Sequence, residues 1–121
     1  MKKKLKLVLK RKWFDMILSG EKTEEYRSIK PSIVSLLFNW RDSLLTMEEF
    51  IEKLNGENYN TYLCEYLKDF ENNMTFYHAY SADRDKFDIE FKYVSIGEAK
   101  PEWSDNWKGK VFIIELGEII K

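Results

Sequence analysis

Lys4-Leu5-Lys6-Leu7-Val8-Leu9-Lys10 runs directly into Arg11-Lys12-Trp13-Phe14-Asp15-Met16-Ile17-Leu18-Ser19-Gly20, and the change of period between the two halves decides the fold. In the first half Leu5, Leu7 and Leu9 fall on one face and Lys4, Lys6, Val8 and Lys10 on the other, the alternation of a half-buried strand. In the second half Trp13, Phe14, Ile17 and Leu18 recur at helical spacing. Gly20 follows where a left-handed helix cap is wanted, so the spacing predicts a short helix over 12–19.

Working outward, Glu24 to Ser28 reads as a short, strongly polar strand. Pro31 suits a first helical turn, and Ile33, Val34, Leu37 and Phe38 make the apolar face of a helix ending near Arg41. Thr46 and Glu49 fit a capping box, and Met47, Phe50, Ile51 and Leu54 lead to an Asn55-Gly56 stop. A second helix is expected over 58–71, with Tyr59, Tyr62, Leu63, Tyr66, Leu67 and Phe70 on one face for three turns. The hairpin over 46–71 should bury Tyr62, Leu63, Tyr66 and Phe70 and turn its acids to water. From Met74 the signals become strand-like. Phe87, Ile89 and Phe91 are apolar at odd positions but Val94 and Ile96 at even ones, which a bulge near Tyr93 reconciles. Val111 to Leu116 is apolar on nearly every residue, as in a central strand covered on both faces.

The chain has 121 residues, 44% hydrophobic, 16% aromatic and 34% charged, which describes one compact soluble domain, and the helix and strand periods above suit an α+β class. One cysteine, Cys64, excludes an internal disulfide and a cysteine-based zinc site, and the single His78 leaves no histidine cluster. No cofactor and no metal are expected. No apolar run approaches a membrane span and lysines interrupt the N-terminal leucines, so a cytoplasmic monomer without membrane contact is expected. The net charge of −1 hides an asymmetry: residues 2–12 carry +7 with no acid, leaving −8 for the rest. Such a basic segment suits a phosphate backbone, although lysines on an outer strand face also blunt edge pairing.

Gly20-Glu21-Lys22-Thr23-Glu24-Glu25-Tyr26-Arg27 is the unusual stretch. On a strand over 23–28, Thr23, Glu25 and Arg27 share a face, with Lys22 at the turn leading in. A carboxylate flanked by two cations has two readings. It can recognise a base edge or phosphate, Arg27 supplying a planar donor fork and Glu25 an acceptor, or it can be a structural salt bridge closing a barrel.

Leu7-Val8-Leu9-Lys10, Trp13-Phe14-Asp15-Met16-Ile17 and the spacing Gly20-x-Lys22-x-x-Glu25-x-Arg27 resemble the ASCH domain, a PUA-like family. Ser95-Ile96-Gly97, Lys100-Pro101-Glu102-Trp103 and Phe112-Ile113-Ile114-Glu115-Leu116-Gly117 resemble its short phage and bacterial branch. The likeness covers roughly 5–38 and 74–120 and leaves 42–72 as a helical insertion. It implies a β-barrel with flanking helices and a cleft between the first helix and the motif strand that receives RNA or a nucleotide. In an enzymatic branch that hydrolyses acetylated cytidine, the motif supplies a lysine and a nucleophilic threonine, with a glutamate before the last strand. Lys22 matches that lysine, Glu25 stands in the threonine's place, and Glu98 or Glu102 approximate the acid. Tyr77-His78-Ala79-Tyr80 stands where short relatives carry Arg-Asn-Gly-Tyr.

Binding of RNA or a modified nucleotide is therefore the leading expectation, through Lys22, Glu25, Arg27, Lys12 and Trp103. Trp103 and Trp107, in the polar stretch 99–110, are candidate stacking faces, whereas Trp13 continues an apolar helix face and reads as core. The alternatives are a small metal-independent amidohydrolase of acylated nucleosides, using Lys22, Glu25 and Glu102, and an interaction module whose acidic insertion meets a protein partner. His78 reads as structural rather than as a general base, and Cys64 as a half-buried, inert residue.

Overall fold

The computed structural model describes residues 2–78, 85–105 and 107–120. In chain order they form β1 (Lys3–Val8), α1 (Arg11–Leu18), β2 (Glu24–Arg27), α2 (Pro31–Leu37), α3 (Met47–Leu54), α4 (Tyr59–Tyr66), β3 (Phe70–Tyr77), β4 (Lys86–Glu98) and β5 (Lys110–Ile120), with 3₁₀ turns at Trp40–Ser43 and Pro101–Trp103. The class is α+β, and the five strands curl into a half-barrel in the order β1-β3-β4-β5-β2. β1 lies parallel to β3, and every other pairing is antiparallel.

The alternation in β1 works as its sequence predicts: Leu5, Leu7 and Leu9 are buried and the lysines face outward. Trp13, Phe14 and Ile17 anchor α1 on the same core, and Gly20 adopts the positive φ of 86° that ends the helix without strain. In β4 the buried positions change phase from Ile89 and Phe91 to Val94 and Ile96, and its pairing with β5 shifts between Ile89 and Tyr93, where the bulge is expected. β5 lies between β4 and β2 and runs on to Ile120. Phe112, Ile114 and Leu116 are buried on one face, while Ile113 and Glu115 are half-buried on the other.

Two helices stop earlier than their periodicity predicts. α2 ends at Leu37 rather than near Arg41, and α4 ends at Tyr66, so Phe70 lies in β3, which starts four residues before Met74. The cause is a clasp between the two helix ends. Phe38 and Leu67 form an antiparallel bridge, the Asn39 N–H donates to Tyr66 O at 2.8 Å, and the Lys68 N–H donates to Leu37 O at 2.8 Å. These bonds hold both segments extended, and the helical spacing of Tyr66 and Phe70 is overridden. The helical segment between the two clasped strands thus spans 40–66.

Within it Leu63 is buried as expected, Tyr62 and Tyr66 are only half-buried, as is Phe70 in β3, and Glu48, Glu49, Glu52, Glu57 and Glu65 face water. Cys64 is exposed rather than half-buried. The capping box is complete: Thr46 Oγ1 accepts from the Glu49 N–H at 3.1 Å and Glu49 Oε1 accepts from the Thr46 N–H at 2.9 Å. Thr46→Ala is expected to cost ~1 kcal/mol, read as a lower urea midpoint at unchanged m-value.

Candidate functional site

The site lies where the two edge strands of the half-barrel approach each other. β1 and β2 share no ladder among the described residues, yet Arg27 on β2 donates from Nη2 to Val8 O on β1 at 2.7 Å. The same guanidinium grips Glu25 Oε2 from Nε at 3.1 Å and from Nη2 at 2.9 Å. Glu25 Oε1 faces Lys22 Nζ at 3.1 Å, and Lys22 also donates to Trp103 O at 2.7 Å. Lys22 and Glu25 are 2% and 5% exposed, so their charges are sustained by each other and by Arg27.

Lys22 reaches this place because the turn after Gly20 folds back on α1, with the Lys22 N–H donating to Met16 O at 2.9 Å. Its ammonium then lies 4.3 Å from the Trp13 ring centroid and 5.2 Å from that of Tyr26. Burial pushes the Lys22 ammonium below its ordinary pKa, opposed by Glu25. Tyr26 fixes the opposite wall, its hydroxyl donating to Glu24 at 2.6 Å and accepting from the Lys100 N–H at 3.3 Å. Burial first, and the Glu24 hydrogen bond second, raise that phenol well above its usual range. The loop carrying Trp103 is thereby tied to β2.

Above this network opens a cavity of about 340 Å³, walled by Trp13, Trp103 and Trp107 and bordered by Lys10, Lys30 and Asp105. Four cations, Lys10, Lys22, Arg27 and Lys30, line it against two carboxylates, Glu25 and Asp105. Lys10 donates to Asp105 at 2.9 Å and holds its carboxyl below the usual range. Arg27 is 23% exposed on its side chain, and its Nη1 group makes no hydrogen bond among the described residues.

Lys22, Glu25, Arg27 and Trp103 of the expected set therefore meet in one cavity, while Lys12 and Glu102 do not line it. Lys12 is exposed on α1 and covers the outer face of Trp13, its Nζ 4.5 Å from the ring centroid. Trp13, expected in the core, is buried yet also forms a cavity wall. Ser104 and Asp105 lie in the loop 97–107 expected to border the cleft, whereas Lys30 was not legible as a site residue, since a position before a helix carries no period that points it anywhere. Ala79 and Tyr80 lie outside the described residues. His78 packs its ring 6.3 Å from that of Phe14 and is not among the cavity's lining residues.

The chain matches no family model, no curated protein and no solved structure.

Both Glu25 oxygens are engaged by cations, Oε1 by Lys22 and Oε2 by Arg27. Thr23 is exposed and outside the cavity lining. The hydroxyls in the lining are those of Ser28 and Ser104, and the latter donates to Lys100 O at 3.0 Å. Among the described residues neither hydroxyl is hydrogen-bonded to a histidine or carboxylate that would activate it. The cavity thus offers indole walls, an Arg27 Nη1 group that makes no hydrogen bond among the described residues, and four cations against two carboxylates.

Proposed function

We propose that this protein binds RNA or a nucleotide through the cavity between β1, β2 and the loop bearing Trp103. One observation carries the reading: a buried Lys22–Glu25–Arg27 network forms the floor of a cavity whose walls are indole rings. The indoles of Trp103 and Trp107 offer stacking faces to a base, and Nη1 of Arg27, without a hydrogen bond among the described residues, offers donors to a base oxygen or a phosphate. The resemblance to the ASCH domain supports the same reading, and membership of that PUA-like family is part of the proposal. A nucleic-acid ligand also suits a cytoplasmic setting.

Thermal shift with nucleosides, mononucleotides and short oligonucleotides tests it, because a ligand that favours the folded state raises the melting temperature. Trp103→Ala is expected to weaken the best ligand by ~1–3 kcal/mol, roughly 5- to 150-fold, if one base stacks there. Arg27→Lys should also weaken it despite the retained charge, since the planar fork is lost. Titration by tryptophan fluorescence measures both. Absence of any shift across the panel would sink the proposal. Metal-free release of acetate from acetylated cytidine that depends on Lys22 would replace it with the hydrolase reading.

A further inference from the structure

A second cavity, of about 370 Å³, opens on the outward face of the sheet across β1, β3 and β4. Lys4 and Lys6 come from β1, Thr75 from β3, and Lys86 and Asp88 from β4. The register builds it directly: Lys6 pairs with Thr75, which pairs with Asp88, and Tyr77 pairs with Lys86. Lys4 Nζ contacts Asp88 at 3.1 Å, and Thr75 donates to the other oxygen of that carboxylate. One lysine of the three is thus compensated. Lys6 and Lys86 form no salt bridge among the described residues, so the cavity keeps a positive surplus.

Both cavities are lined in part from one extended segment. Lys4 and Lys6 line the second cavity, Val8 and Lys10 line the first, and all four are alternate residues of one extended segment. The chain stays extended past β1, because the Leu9 N–H donates to Tyr77 O at 2.7 Å and Lys10 has φ −65° and ψ 151°. At a rise of about 3.3 Å per residue, Lys4 and Lys10 stand about 20 Å apart along this stripe. A mononucleotide has phosphate at one point only and cannot engage both ends. A polymer with repeating phosphates can.

Resting on the nucleotide-binding reading above, we propose that the ligand is a single-stranded polynucleotide, one base of which occupies the indole-walled cavity while its backbone follows β1 to the outer-face lysines. The unpaired form is favoured because a base can reach the cavity floor only when freed from a duplex.

The test measures fluorescence anisotropy of labelled decauridylate and decathymidylate, with uridine monophosphate as the short probe, on wild type and on Lys6→Gln/Lys86→Gln. Both replaced side chains are exposed, and a melting curve checks that the variant is folded. The double variant should bind the decamers at least about fivefold more weakly. Its salt slope should flatten by roughly 1.4, the loss of two phosphate contacts on a single strand. Affinity for uridine monophosphate should stay unchanged. Equal decamer affinity and slope in variant and wild type would overturn the outer-face track and leave the cavity reading standing. Equal weakening of decamer and mononucleotide would also overturn it, since the lysines would then act only through their general field. Decamer binding that needs Lys6 and Lys86 but survives both Trp103→Ala and Arg27→Lys would instead sink the cavity reading and the continuous path with it.

Discussion

Glu25→Gln is expected to destabilise the protein by ~3–5 kcal/mol, the usual cost of breaking a buried charge network by removing one partner. For a domain of this size that is a fall in melting temperature of roughly 10–20 °C. The carboxylate touches both Lys22 and Arg27, and Lys22 is almost wholly buried, so the change leaves an ammonium without its counter-charge. The deficit should depend on pH with a definite sign. Burial already holds Lys22 below its ordinary value of 10.5, and Glu25 is the leading influence in the opposite direction. Without Glu25 the folded state should release that proton at still lower pH, whereas the unfolded chain keeps it to about 10.5. Between the variant's folded-state value and that of the wild type, the variant has released a proton that the wild type still holds, so its deficit shrinks as pH rises through that window, and above it both gain alike up to about 10.5. Melting curves at several pH values check this. A deficit that grows with pH would contradict it, and Lys22→Met in the variant background should restore part of the loss. Affinity measured well below the melting temperature separates the two readings of the motif: a stability loss that fully explains any binding loss leaves Glu25 a purely structural residue.

Phe50→Ala carries the second large effect, ~3–5 kcal/mol for emptying a closely packed aromatic site. Phe50 is fully buried and contacts the rings of Phe38, Tyr62 and Tyr66 at centroid distances of 5.6, 6.2 and 5.7 Å. Phe38 in turn packs on Phe112 of β5 at 5.5 Å. The helical pair is therefore continuous with the sheet's core, and the variant should unfold in one transition at a lower urea midpoint. Two separate transitions would show that the insertion folds independently of the half-barrel.

Elements governed by local chemistry were legible from the chain alone. Thr46 and Glu49 specify their own cap, the leucines of β1 specify their own face, and the apolar phase of β4 locates its bulge. What escaped was set by contacts distant in sequence. Leu67 satisfies a helical period, but Phe38 claims it for a bridge. Lys22, Glu25 and Arg27 were visible as a motif, yet only the fold shows that Arg27 also spans to Val8 O. Lys12 and Glu102, the latter expected only from the family likeness, do not line the cavity: the first lies over the Trp13 ring and the second faces water.

The sheet order has a consequence for the time course of folding. β3, β4 and β5 are consecutive antiparallel neighbours and can pair through short-range closures, whereas Leu5 must find Met74 and Arg27 must find Phe112. Loop-closure entropy and contact order make such distant pairings late events. The cavity floor and walls come from the N-terminal third and from the loop before β5, so the site is expected to form only when the last strands dock. Contacts absent from the folding transition state act on unfolding, and an occupant of the cavity should lengthen the lifetime of the native state more than it hastens its formation.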